Sequence, residues 1–421
     1  WLSFAVVALL CLVLSQPHAT GLWQRWGRIQ WAVFVGLLPW LVFWFGQWSL
    51  IAPLVNLFAV PWLGFIAVPL LLASLLILPI SDGIAQFGLH TTQWTLEWMW
   101  LVLERLASLP GVSWQQAQIP LWALAMASLG AILLLLPRGL IPRWLGALWF
   151  LPLFIPNTPA LPEGAMHFTL LDVGQGLSAV IQTREKSLVF DTGARYGDRF
   201  NTGEAVLLPY LHQQGISRVD RLIISHGDND HIGGARSLIE GIEVVEILTS
   251  VPESMPGSRL CQAGESWTWD GIEFRVLHPP ARYRHQRHSD NNRSCVLRVS
   301  NAAGSILLSA DIEAPAELEL VRHDDSVLDV DILVAPHHGS KSSSSTAFVE
   351  AVSPRWVLFP VGYRNRYRFP HDEVEARYRE LGASLLSSAD HGAIRFTLAQ
   401  GRPIQPESYR HNARHYWHRA P

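Results

Sequence analysis

Arg221-Leu-Ile-Ile-Ser-His-Gly-Asp-Asn-Asp-His-Ile-Gly-Gly234 is an apolar run that ends in a polar turn, and the turn holds four metal-competent side chains, His226, Asp228, Asp230 and His231, within six residues. Imidazoles and carboxylates together can hold one or two divalent cations, and a strand that stops at a tight Gly-Gly turn aims them at a common point. A merely solvated turn seldom mixes both ligand types and leads on into Gly-Gly. The chemistry of the chain is therefore sought here first.

Outward from this turn, short β-rich runs alternate with helical stretches. Strands are expected at 166–173, 179–182, 187–190, 221–225, 244–249, 274–278, 295–300, 305–309, 332–335 and 356–359, and helices at 204–214, 233–240, 313–323, 344–352 and 372–381. This alternation argues for an α/β arrangement. Upstream, the Pro-rich stretch 151–162 blocks both helix continuation and central strand pairing, and it divides an apolar part, 1–156, from this α/β part, 157–421.

The His-x-Asp-x-Asp-His-x-Gly-Gly spacing is accompanied, in order, by Leu170-Leu-Asp-Val-Gly-Gln-Gly176, Asp191-Thr-Gly193, Leu307-Leu-Ser-Ala-Asp311, Pro336-His-His-Gly-Ser340 and Asn365-Arg-Tyr367. This series resembles the variant metallo-β-lactamase signature of the ComEC/Rec2 DNA internalisation proteins, over about residues 167 to 400. The resemblance implies α-helical transmembrane segments followed by a metallo-β-lactamase-like αββα sandwich, with a metal site at one edge of its two sheets. It also implies that His226, Asp228, Asp230, His231, Asp311 and His337 hold one or two divalent ions, with Asp311 bridging them. Ordinary members carry a second His where Asp228 stands, and a carboxylate there shifts preference from zinc toward manganese or magnesium, with zinc still admissible.

Further roles follow from the same resemblance. Asp230 is expected to accept a proton from the attacking water, and His338 or His371 to protonate the leaving oxygen. Asp172, Gln175 and Asp191 are expected to orient the ligands or shape turns beside them. Asn291 stands where hydrolytic members place another His, and Arg368-Phe-Pro370 stands where the family has Gly-His-Pro, which leaves His371 two positions from the customary histidine. Ser340 and Lys341, in Gly-Ser-Lys-Ser, offer hydroxyl, ammonium and backbone amides to an anionic oxygen without the spacing of a nucleotide P-loop.

The first 156 residues carry almost no charge, with apolar runs at 1–14, 31–50, 51–80, 121–136 and 144–155. Several approach the roughly 20 residues that a bilayer crossing needs. Fifteen of the 19 Trp fall here, many near run ends, as an interfacial belt places them. A chain that starts at Trp1 inside an apolar run reads as a piece of a longer inner-membrane protein. Arg25 and Arg28, and Arg138 and Arg143, mark two short cytoplasmic loops. Both loops share a side only if 31–80 crosses once and re-enters once, and Pro53, Asn56, Pro61 and Gly64 supply the breaks. The 92–109 stretch then reads as an interfacial amphipathic helix on the outer side, with the α/β part periplasmic. Cys11, Cys261 and Cys295 give an odd count without metal spacing, so no disulfide framework is expected and a Cys261–Cys295 pair is left open.

A formal net charge of −3 does not advertise a nucleic-acid binder. Local clusters do so better: Arg282, Arg284, Arg287 and Arg293 form one, and Arg364, Arg366 and Arg368 alternate with Tyr363 and Tyr367 in another. Guanidinium groups interleaved with rings suit phosphates and bases of a single strand. The expected function is therefore a membrane channel for single-stranded DNA in natural transformation, with a metal-dependent nuclease domain that degrades the strand left behind. The lipid bilayer, DNA-receptor and translocation-motor proteins, and a second copy of the chain are the expected partners. Two other readings stand beside it, a membrane-tethered hydrolase of another phosphodiester or ester, and an inactive domain that only grips DNA.

Overall fold

The computed structural model describes residues 22–109, 111–115, 117, 119–136, 142–155, 161–197, 200–285, 289–323 and 325–413. The chain divides into two compact units, one built on the helices up to Phe154 and the other on the strands from Met166 onward.

In the first unit, the helix Leu22–Phe45 stops at Gly46, whose positive φ of 62° ends it, and leads into β1 (Gln47–Ser49). That strand pairs antiparallel with β2 (Ser113–Gln115), which sets Trp48 opposite Trp114 with their rings stacked at 5.7 Å. Ala52–Ile77 is one continuous helix of 26 residues, so the re-entrant break expected at 51–64 is not formed. Pro53 lies in the first turn, where a missing N–H costs nothing. The residues after Pro61 wind into a π turn, Leu63–Ala67, that absorbs the irregularity without ending the helix.

The next helix, Asp82–Ala107, begins ten residues before the expected 92, with Asp82 in its first turn. It buries Ala85, Thr92, Thr95 and Met99, and it approaches the preceding helix so closely that a Cβ on Gly88 would stand 2.1 Å from Ser74 Oγ. Among the described residues, Gly27–Phe45 and Ala52–Ile77 are long and apolar enough to cross a membrane, whereas Leu121–Leu135 and Trp144–Phe154 are shorter. The run 1–14, Arg138, Arg287 and the side chains of Arg25 and Arg284 lie outside the described residues.

The second unit is a four-layer αββα sandwich. Its first sheet contains β3 (Met166–Leu170), β4 (Ala179–Gln182), β5 (Ser187–Phe190), β7 (Arg221–Ile224), β9 (Ile247–Thr249), β10 (Arg259–Leu260), β18 (Ile394–Leu398) and β19 (Pro406–Ser408), in the order β10-β9-β7-β5-β4-β3-β18-β19. The second contains β11 (Ser266–Trp269), β12 (Ile272–His278), β13 (Val296–Asn301), β14 (Gly304–Leu308), β15 (Ile332–Val334), β16 (Trp356–Phe359) and β17 (Ser384–Ser387), in sequence order. A small parallel pair, β6 (Arg218–Val219) and β8 (Glu243–Val244), flanks the first.

Alternation along the strands places one apolar face of each sheet inward. Phe168, Leu170, Ile223, Phe274, Leu297 and Leu308 meet in the shared core. The outer faces are covered by helices. Leu207, Leu211 and Leu238 pack on Val189 and Leu222 of the first sheet, while Leu320, Phe348 and Tyr378 pack on Leu307 and Leu333 of the second. Cys261, just after β10, and Cys295, just before β13, are joined by a disulfide with a Cα–Cα distance of 6.1 Å, so the pair left open by the odd cysteine count ties one sheet to the other.

One topological feature positions the site. β5, β7 and β9 run parallel in the first sheet, and β14 to β17 run parallel in the second. The residues that leave β5, β7, β14, β15 and β16 are Asp191, Ser225-His226, Ser309 to Asp311, Ala335 to His338 and Pro360 to Gly362. Carboxyl ends of parallel strands are where α/β sheets hold ligands, because the departing loops are free to diverge there.

Candidate metal centre

His226, Asp228, Asp230 and His231 follow β7 as the expected turn, with Asn229–Ile232 as a single helical turn. Two glycines let this turn sit deep. A Cβ on Gly234 would meet Thr192 O at 2.5 Å, and a Cβ on Gly176 would meet Asp230 O at 2.4 Å. Leu177 N donates to that same Asp230 carbonyl at 3.1 Å, so the Leu-Asp-Val-Gly-Gln-Gly loop clamps the metal-competent turn through its backbone.

Asp311 lies in the loop after β14, behind Ala310, whose φ is 48°, and His337 and His338 leave β15 with φ of 46° and 56°. Left-handed backbone at three non-glycine residues costs on the order of 1 kcal/mol each, and it turns Asp311 and the two imidazoles toward the first sheet's loops. The donor atoms then converge. His231 Nε2 stands 3.1 Å from Asp311 Oδ1 and 3.3 Å from His338 Nε2. His338 Nε2 is also 3.3 Å from both Asp230 Oδ2 and Asp311 Oδ2. His226 packs its ring on His231 with centroids 4.2 Å apart.

Two overlapping groups result, His226 with His231 and Asp311, and Asp230 with His231 and His338, each with donor atoms within 4.8 Å of one another. Donors arranged tetrahedrally at about 2.1 Å from an ion stand roughly 3.4 Å apart, so the closest of these separations suit a shared cation. His226 Nε2 supplies an independent test. It is fully buried and makes no hydrogen bond, with the Asp228 carboxylate 3.5 Å away. A buried imidazole nitrogen without a partner is costly unless something such as a cation takes its lone pair. The residues present fit a divalent ion.

Ring orientation is set one layer further out. Asp191, itself fully buried, accepts from Ser225 N, Ser225 Oγ and His231 Nδ1, all at 2.7 Å. With its proton given to Asp191, Ser225 Oγ is left to accept from His226 Nδ1 at 3.0 Å. One carboxylate thereby fixes the tautomer of two imidazoles and turns both Nε2 atoms inward. His338 is fixed differently, its Nδ1 donating to Pro360 O at 2.9 Å.

Without a cation, the charges compensate each other. Burial alone would raise the Asp230 carboxyl, but the His338 hydrogen bond and the charges of His231 and His338 outweigh it and hold it at about 2. Burial alone would lower His338, yet the Asp311 charge and hydrogen bonds to Asp230 and Asp311 lift it to about 9. Asp311 lies well below its usual value against the opposing effect of burial, held there by the same two imidazoles.

Other expected residues fall elsewhere. His337, 20% exposed, stands at the rim, with Nε2 3.8 Å from Asp311 and 3.5 Å from Asn291 Nδ2, and Nδ1 3.6 Å from Glu313 and 3.1 Å from Ser342 Oγ. His338, expected to act on the leaving group, is the member of the pair that enters the donor cluster. Asp228 is half exposed, and the His226 imidazole 3.5 Å away lowers its carboxyl. Asp172 accepts from Gly174 N and pairs with Arg410 at 2.7 Å, so its contacts are to a turn and to the C-terminal segment rather than to any ligand. Gln175 Oε1 accepts from Gly362 N, which ties it to the loop after β16.

Ser340 Oγ meets Ser342 Oγ at 3.1 Å and so reaches His337 through one hydroxyl. Lys341 is exposed and paired with Glu373 at 2.8 Å. His371 N donates to Gly339 O, while its ring meets Phe369 edge-on at 5.4 Å. Arg364 and Arg366 are exposed and lie over the rings of Tyr363 and Tyr367. Sequence reasoning missed Ser225, whose small hydroxyl beside a histidine carries no signal of its own, and Glu313 and Pro360, whose approach depends on the fold.

A family model described as Competence protein matches residues 1–140, and one described as Metallo-beta-lactamase superfamily matches 171–260. The chain is 36% identical over 404 residues to Competence protein ComA of Neisseria gonorrhoeae, covering 95% of this chain and 56% of that protein. It is 34% identical over 234 residues to Recombination protein 2 of Haemophilus influenzae, covering 55% of this chain and 29% of that protein. With ComE operon protein 3 of Bacillus subtilis the identity is 27%, covering 94% of this chain and 54% of that protein. The chain thus spans about half the length, or less, of these relatives. It belongs to the ComEC/Rec2 family of competence proteins and joins a region that matches the Competence model to a metallo-beta-lactamase superfamily domain.

Proposed function

We propose that the chain is part of a multi-pass inner-membrane channel for single-stranded DNA in natural transformation, and that residues 157–421 form a periplasmic, metal-dependent phosphodiesterase that degrades the strand not transported. The observation that carries the enzymatic reading is the convergence of His231 Nε2, Asp311 and His338 Nε2 at 3.1–3.3 Å beside the unpartnered His226 Nε2. A polyanion needs a hydrated path through a bilayer, because phosphates in hydrocarbon are prohibitively costly. The helices Gly27–Phe45 and Ala52–Ile77 support a membrane location by length and composition. The Cys261–Cys295 disulfide supports an oxidising compartment for the α/β unit.

His226, Asp230, His231, Asp311 and His338 are the proposed ligands, with Asp228 beside His226 and His337 at the rim. A divalent cation there supplies Lewis acidity toward a phosphoryl oxygen and an acidified water. Asp230, whose Oδ2 lies 3.3 Å from His338 Nε2 at the edge of the donor cluster, is the proposed proton acceptor. With His338 in the donor set, the leaving-group proton is assigned to His337 at the rim, whose Nδ1 meets Ser342 Oγ at 3.1 Å and lies 3.6 Å from Glu313.

The test is cleavage of labelled single-stranded DNA by the full chain in detergent, stripped of metal and reloaded with manganese, beside Asp311→Ala. Manganese-dependent cutting that is absent from the variant supports the reading. Hydrolysis of small esters alone removes the nuclease assignment, and DNA binding without cutting removes the hydrolase.

A further inference from the structure

The loop between β16 and helix Asp372–Glu380 is built to hold a fixed shape. Asn365 Nδ2 donates to Gly362 O at 3.2 Å and to Phe369 O at 2.7 Å, and Asn365 Oδ1 accepts from Phe369 N at 2.9 Å. One half-buried amide therefore staples both ends of the loop. Within it Arg364 and Arg368 adopt left-handed backbone, with φ of 53° and 58°. Glycine would hold those positions at lower backbone cost, so the loop spends strain to keep two guanidinium groups on a short turn.

The rings of this loop lead toward the donor cluster. Tyr367, 46% exposed, lies nearly parallel to Phe369, with centroids 5.4 Å apart and planes at 19°. Phe369 in turn lies nearly parallel to His338, at 6.3 Å and 17°. A file of three flat groups thus runs from solvent to a proposed ligand.

Several arginines of this unit pair with carboxylates, as Arg221 with Glu246, Arg259 with Glu265, Arg282 with Glu319 and Arg410 with Asp172. Among the described residues Arg364, Arg366 and Arg368 meet no carboxylate, and the first two lie over tyrosine rings instead. Three adjacent cations left unneutralised beside an exposed ring match a ligand that alternates anionic and aromatic groups, which is the chemistry of a nucleic-acid single strand.

We propose that the 362–369 loop is the strand-gripping subsite: a base of single-stranded DNA stacks on the Tyr367–Phe369 pair, and Arg364, Arg366 and Arg368 take the flanking phosphates. The subsite selects unpaired strands, because bases inside a duplex present no free face to a ring. Its place in a reaction rests on the hydrolytic reading of the neighbouring cluster, but its binding does not.

The test is fluorescence anisotropy of the full chain in detergent, with metal chelated, using a labelled oligothymidine of about 12 nucleotides and an abasic strand of equal length. Tyr367→Leu should weaken oligothymidine binding by about tenfold and leave the abasic strand within about twofold, while Tyr367→Phe keeps the affinity of the unaltered chain. Arg366→Gln should weaken both strands alike and reduce the salt slope of log K by about 0.7. Equal affinity of Tyr367→Leu and the unaltered chain for oligothymidine overturns the proposal, as does equal loss on both strands. Because metal is absent, a failure of DNA cleavage leaves this result untouched.

Discussion

Asp191 Oδ2 accepts a hydrogen bond from His231 Nδ1 at 2.7 Å, and both residues are fully buried. This contact fixes the tautomer that turns His231 Nε2 into both donor groups. Asp191→Asn keeps the size but replaces a carboxylate acceptor, and Nδ2 facing His231 would set donor against donor. Manganese affinity of the full chain, measured by competition with a chelator, is expected to fall about 10- to 100-fold. Unchanged affinity would show that the orientation of His231 does not depend on Asp191.

Gly176 links two motifs that are far apart in the chain. Its φ of 132° suits glycine, and a Cβ there would stand 2.4 Å from Asp230 O and 3.0 Å from Asp230 Cβ. Gly176→Ala should push the Asp230 turn aside and abolish manganese-dependent hydrolysis of phosphodiesters, while circular dichroism still reports the folded sandwich. Full activity in this variant would mean that the turn tolerates displacement.

Glu317 is fully buried on helix Ala314–His323 and accepts from Ser344 N and from Ser345 N, the latter at 2.8 Å, just ahead of helix Thr346–Val352. Burial raises its pKa despite these donors and the Arg377 charge. Glu317→Ala strands two amide donors in the interior, at a cost of about 2–4 kcal/mol. Thermal unfolding should shift down by several degrees, and an unshifted transition would contradict the capping role.

Much of the site was legible because its donors sit at strand ends, where an apolar run stops and polar residues begin. His226 to His231, Asp311 and His337-His338 all carry that mark. Which histidine of the pair enters the cluster was not legible, since the answer depends on two consecutive left-handed residues, His337 and His338, and on the Pro360 carbonyl that holds His338. The pairing of Lys341 with Glu373 was not legible either, since the two lie 32 residues apart.

In the fold, every expected strand of the α/β part matched to within a few residues, but β6, β10, β11, β17, β18 and β19 were missed, although Ser-Trp-Thr-Trp of β11 and Ile-Arg-Phe-Thr-Leu of β18 alternate in the manner of half-buried strands. The continuous helix Ala52–Ile77 shows why proline is a weak break signal, since Pro53 lies where no donor is needed and a π turn follows Pro61.

His167 gives a pH dependence away from the metal centre. Burial first, then the charges of Arg395 and Arg402, lower it from 6.5 to about 4. Between those values the unfolded chain binds a proton that the folded chain refuses, so stability drops as pH falls from 6.5 to about 4 and levels off below. His167→Gln keeps a polar partner for Thr397 Oγ1 and should flatten that part of the curve of Tm against pH. Identical slopes in the two proteins would contradict the burial argument.

The account rests on His226, Asp230, His231, Asp311 and His338 sharing a cation, and metal content tests this most directly. Elemental analysis of the full chain, purified in detergent and dialysed against trace manganese and zinc, should find at least about one equivalent of divalent metal, lost in a His231→Ala, Asp311→Ala double variant. Metal at background level in the unaltered chain, or equal content in both proteins, would contradict it.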